Sequence, residues 1–257
     1  MKGIRVGLAV CALLLAGCAG QGAPVAGGSA NPHSAKASYT QLGLQYLQER
    51  DGQNAKEAFL RALEIDSNYA EAFNGLALTF QLEGDQALAE QYFDKAVAAA
   101  PDSAMVHNNY GAFLFRQQRY QDACRILARA TEDPFYSQRA QAFENLGRCY
   151  RQIGRDDVAE HAFRRALRIS TFRPLAMVEL SDLLLEQQRT AEAKEWFERF
   201  SALVEAKRVD HYAKSLWLGI RLARAGGDAS KAATYALILK NLFPQSPEFH
   251  QYKESSR

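Results

Sequence analysis

Most of what would mark an enzyme, a membrane-spanning protein or a nucleic-acid binder is missing from this chain. The histidines His33, His107, His161, His211 and His250 are scattered without metal-ligand spacing. There is no HExxH pair, no GxSxG elbow and no GxxxxGKS/T phosphate loop. The chain is therefore not expected to be an enzyme, to carry a cofactor or metal, or to act on a small-molecule substrate. The longest apolar run, Val6 to Ala16, has eleven residues, too short to cross a bilayer as a helix. Lys and Arg number 31 against 29 Asp and Glu, a net charge of +2. So even a balance gives no electrostatic case for nucleic acid. No alternation of period two is present, which excludes a sheet-built fold. Cysteine is scarce, with four in 257 residues.

What is present begins at the N-terminus. Lys2 and Arg5 precede the apolar run, which ends in Leu15-Ala16-Gly17-Cys18. This pattern of charge, short apolar core and small residues is that of a removable signal segment, residues 1–17. Leu-Ala-Gly-Cys resembles the lipobox of bacterial lipoproteins. The resemblance implies cleavage before Cys18 and lipidation of its sulfur. Ala19, where an aspartate would resemble an inner-membrane retention signal, implies sorting to the outer membrane. Without Lys2 and Arg5 the mature chain holds 29 basic and 29 acidic side chains. Residues 18–35 form the lipidated cysteine and a Gly/Ala/Ser/Pro-rich tether whose coil would reach roughly 20–25 Å. Cys124 and Cys149 remain in the mature chain, either paired as a disulfide or free as small apolar residues.

From Lys36 the chain repeats. Tyr39 to Gly43 aligns with Phe73 to Ala77, His107 to Gly111, Phe143 to Gly147, Met177 to Ser181 and Ser215 to Gly219. The small residue closing each block runs Gly43, Ala77, Gly111, Gly147, Ser181, Gly219. The second half of each unit follows suit, with Ala55, Phe59 and Ala62 matched by Ala89, Phe93 and Ala96 and so on. The last unit matches as Ala232, Ala236 and Leu239 if Gly226-Gly227 carries one extra residue. Small side chains let two helices cross closely while large ones fill the space beside the crossing. The pattern resembles the tetratricopeptide repeat. It predicts an all-α, right-handed solenoid of six helix-turn-helix units over 36–257, starting near 36, 70, 104, 140, 174 and 212, with a short tail from Gln245.

A second stripe on each first helix is not needed by this scheme. At about 100° per residue, Asn108, Ala112 and Phe115 fall on a different shoulder from Tyr110, Gly111 and Leu114. The same shoulder carries Leu44 and Leu47 in unit one and Asn74, Leu78 and Leu82 in unit two. These eight residues are expected to form an apolar groove edged by two amides, suited to a peptide partner. The chain's own tether is the competing occupant. Glu144, Arg148 and Arg151 take over the shoulder in unit four, as a solvated face or as a charged rim. His107 takes a packing position and reads as a core histidine with its hydrogen bonds met.

The lipobox, tether and six repeats, with the runs NNYGAFLFRQQRYQDA, Ala140 to Gly147 and Leu218 to Ala223, look like the type IV pilus pilotins, the PilF/PilW lipoproteins. The resemblance spans nearly the whole mature chain. It implies a lipid-anchored protein on the periplasmic face of the outer membrane, whose partner is the pilus secretin subunit. It also implies a role in that ring's localisation and oligomerisation. The alternative is a lipoprotein adaptor for β-barrel assembly or for cell-wall hydrolases.

Overall fold

The computed structural model describes residues 32–255. The signal segment, Cys18 and the tether up to residue 31 lie outside the described residues. Among those described there are thirteen helices and no strand. They form six pairs and one extra helix: α1 (Pro32–Gln48) with α2 (Gly52–Ile65), α3 (Ala70–Glu83) with α4 (Gln86–Ala99), and α5 (Ala104–Arg116) with α6 (Tyr120–Ala130). Next come α7 (Arg139–Gln152) with α8 (Asp156–Ile169), α9 (Pro174–Glu186) with α10 (Thr190–Glu205), and α11 (Ala213–Ala225) with α12 (Ala229–Leu242). The extra helix is α13 (Pro247–Glu254).

Each pair closes where the repeat places its small residue. A Cβ added at Gly43 would lie 2.6 Å from the Phe59 ring, at Gly111 2.5 Å from Leu127, and at Gly147 2.6 Å from Phe163. Only glycine fits there, so close approach and a large buried side chain are two sides of one contact. Ser181 solves the same problem differently, its Oγ donating to the Ala193 carbonyl at 2.6 Å. In unit six Ala232, Ala236 and Leu239 are buried as expected, but the turn 226–228 is no longer than the turns 49–51, 117–119, 153–155 and 187–189, so the extra residue expected there is absent from the turn. Ala236 is too small to fill the crossing, however, and Tyr235 supplies the ring that meets Gly219.

The turn between the two helices of each unit carries one left-handed residue: Arg50, Gly84, Gln118, Gly154, Gln188 and Gly227. Several second helices then start on a side-chain cap. Asp51, Asp85 and Asp228 each accept a backbone N–H three residues on, at 2.8–3.1 Å.

First helices pack backbone-close on the first helices of neighbouring units, whereas the described second helices reach one another only through side chains, as in the Arg164–Glu192 pair at 2.9 Å. The first helices therefore line the inner, concave face and the second helices fan outward. α1 begins at Pro32, inside the stretch assigned to the tether. Proline suits a first helical position, and Lys36 is held there by Asp66 and by the Tyr69 ring, 4.4 Å away. The tail expected after Gln245 is likewise partly helical. Ser246 caps α13 by accepting from Phe249 N, and Phe249 and Tyr252 lay one face against the core as a closing helix. Cys124 and Cys149 are joined as a disulfide, tying α6 to α7 across the longer 131–138 connection.

Candidate functional site

The eight groove residues all lie on the inner helices α1, α3 and α5. Leu44 and Leu82 are the most open, 40% and 41% exposed. Leu47, Leu78, Ala112 and Phe115 are half-buried, with Leu78 and Phe115 packed on the core. An apolar strip therefore runs along units one to three.

The two amides are not its edge. Asn74 and Asn108 are 3% and 1% exposed, and each is engaged by the next inner helix. Asn109 Nδ2 donates to Asn74 Oδ1 at 3.1 Å, and Asn145 Nδ2 donates to Asn108 Oδ1 at 3.0 Å. Packing of inner helix on inner helix brings residues one period apart into reach, and a buried amide must be bonded. Asn108 is thus part of the fold rather than surplus to it.

The charged shoulder of unit four divides three ways. Glu144 is buried, neither solvated face nor rim, and accepts from the Arg173 guanidinium and from Ala176 N at 3.0 Å. Arg151 pairs with Asp156 at 3.1 Å and Glu186 at 2.9 Å. Its burial disfavours the charge, but Glu186 and Asp156 outweigh that and hold the guanidinium above its ordinary value. Arg148 faces the groove with no acid partner among the described residues, its guanidinium 5.0 Å over the Phe115 ring.

Beyond Arg148 the inner face changes character. Arg221 and Lys214 reach Asp182 at 2.6 and 3.2 Å, and Lys214 also reaches Glu179 at 2.7 Å. Burial works against the Lys214 charge, yet Glu179 and Asp182 raise its pKa overall. This lattice of ion pairs escaped the sequence reading. Its signal was only approximate: opposite charges 35 and 39 residues apart, close to but out of register with the step between units five and six. The groove is thus apolar at one end and internally charge-paired at the other. A cavity of about 510 Å³ beside Ala112, Phe115 and Arg148 marks the border. Among the described residues no group of His, Cys, Asp and Glu is arranged to hold a metal ion.

Tetratricopeptide-repeat profiles match residues 102–171 and residues 40–104 and 157–203. The type IV pilus assembly protein PilF of Pseudomonas aeruginosa is 38% identical over 219 residues, 85% of this chain and 85% of that protein. The chain belongs to the PilF/PilW family. Two solved structures of that family superpose well. Pseudomonas aeruginosa PilF has a TM-score of 0.80 at 37% identity, covering 87% of this chain and 99% of that one. PilW, described as a widely conserved type IV pilus biogenesis factor, has a TM-score of 0.71 at 29% identity, covering 84% and 97%. As a member of the PilF/PilW family the chain is a type IV pilus biogenesis protein of tetratricopeptide repeats.

Proposed function

We propose that this protein is a lipoprotein on the periplasmic face of the outer membrane that binds the type IV pilus secretin and promotes its localisation and oligomerisation. The observation that carries this is the apolar inner strip, Leu44 to Phe115, in a chain of the PilF/PilW family. Exposed leucines in a row on a concave surface leave water-ordering area that a partner segment removes. Secretin subunits carry β segments whose unpaired edges invite aggregation. A segment held in the groove, on a carrier anchored through Cys18, is concentrated at the membrane surface. Confinement raises effective concentration and favours ring assembly without any chemical step. The protein acts as a binding scaffold and not as an enzyme.

The test uses the two open leucines. Leu78 and Phe115 also pack on the core, so a charge there disturbs folding as well as binding. Leu44→Asp and Leu82→Asp are cleaner probes. Each is expected to lose secretin in pull-downs while retaining wild-type helicity and melting. Full binding by the double variant would refute the groove assignment. Cys18→Ala is expected to retain binding but to fractionate as soluble periplasmic protein. Its recovery with membranes would contradict the anchor.

A further inference from the structure

The 510 Å³ cavity at the centre of the inner face has an unusual charge balance. Its walls include Phe115, Tyr120 and Ala112, which are apolar or aromatic, and two guanidinium groups, Arg116 and Arg148. No carboxylate lines it. Among the described residues neither arginine has an acid partner. Arg116 donates to the Gln81 amide, and Arg148 rests on the Phe115 ring. This contrasts with the neighbouring basic groups. Arg151, Lys214 and Arg221 are all satisfied by carboxylates of the protein itself. A second cavity of about 280 Å³ shares Phe115 and Arg148 as walls and continues the groove toward units five and six. There the acids Asp156 and Glu179 are already spent on Arg151 and Lys214.

We infer that this cavity is a recognition pocket for an internal aspartate or glutamate of the bound segment, set beside an apolar side chain that stacks on Phe115. The inference rests on the groove-binding function proposed above. Charge complementarity fixes the sign of the group, and a planar guanidinium over an aromatic ring presents a ready fork for a carboxylate. The aromatic and apolar wall takes the neighbouring apolar side chain. The groove runs on past Phe115 and Arg148 in both directions, toward the leucine strip and toward the ion-pair lattice. A bound chain therefore passes through the pocket, and a side-chain acid fits better than a chain end. The apolar strip supplies affinity, and the pocket supplies register and direction.

The experiment is a selection of synthetic peptides, N-acetylated and C-amidated, on the full mature chain, with a parallel library bearing free C-termini. Selected amidated peptides are expected to share Asp or Glu next to an aromatic or aliphatic residue. Arg148→Gln and Arg116→Gln are each expected to weaken such peptides about tenfold. Arg148→Lys should restore part of that loss. The loss should vanish when the peptide acid is replaced by its amide, a cycle that separates charge recognition from packing on Phe115. Binding should also weaken with added salt. Selection without acidic residues, unchanged binding by Arg148→Gln, or selection only of free C-termini overturns the pocket. Competition by a periplasmic secretin fragment keeps the two proposals apart. Acidic peptides that the secretin fails to displace uphold the pocket and sink the secretin assignment. Secretin binding indifferent to both arginines does the reverse.

Discussion

His107 shows what one residue contributes when its neighbours decide its state. It sits in α5 at 1% exposure, and its Nε2 has no hydrogen-bond partner among the described residues. The expectation of a fully bonded core histidine is corrected: it is in the core but with one nitrogen orphaned, at a cost of about 1–3 kcal/mol. Burial first, and Arg129 second, push its pKa below the ordinary 6.5. The unfolded chain therefore binds the proton more readily than the folded one. The histidine's contribution to stability is present above pH 6.5 and is lost as pH falls through that value toward the folded pKa. His107→Leu is expected to melt higher and to lose less of its melting temperature on acidification, as followed by circular dichroism. A second residue-scale prediction concerns the turns. Gln188 holds a φ of 62° at the turn position where Gly84 and Gly154 stand in other units. Left-handed backbone costs a side-chain-bearing residue about 1–2 kcal/mol, and glycine's freedom in the unfolded chain returns part of that. Gln188→Gly is expected to raise the unfolding free energy by about 0.5–1 kcal/mol in urea titrations.

At the scale of the element, α9 depends on a residue outside it. It opens with Pro174, and its cap Arg173 offers no side-chain acceptor. The missing acceptor comes from the previous inner helix: Glu144 takes Ala176 N and the Arg173 guanidinium together. An anion at a helix start also meets the positive end of the helix dipole. Glu144→Ala leaves Arg173 unpaired and the first turn uncapped. It is expected to destabilise by about 3 kcal/mol, with amide exchange near Ala176 speeding up before the rest. The helices themselves were legible in the sequence, because a 34-residue period with a fixed small position leaves little freedom. The ends were less so. α1 started early because Lys36 finds Asp66 thirty residues away. α13 formed because Phe249 and Tyr252 find apolar surface on the unit before it. Neither partner is local.

For the solenoid as a whole, stability is a chain of nearest-neighbour contacts, since among the described residues no helix packs on one beyond the adjoining unit. The disulfide is placed where that chain has its longest link so far along the sequence, between units three and four. That connection also carries Phe135, 93% exposed at its tip. Cys124 and Cys149 are 25 residues apart, and closing such a loop stabilises by about 3–4 kcal/mol through the unfolded state. Reduction, or Cys149→Ser, is expected to lower the unfolding free energy by that amount and to broaden the transition as the two halves decouple. Calorimetry with and without reductant measures both effects.

The sequence alone determined the all-α repeat, its six units, the crossing glycines and the inner-helix leucines, because each follows from a period and a side-chain size. It did not reveal which polar groups on the inner face were free. Asn74, Asn108, Glu144 and Arg151 looked available on a single helix and are consumed by neighbours one unit away. Arg148 looked no different from Arg151 and is left over. Whether a polar group is satisfied depends on what stands across from it, and only the stacking of units decides that.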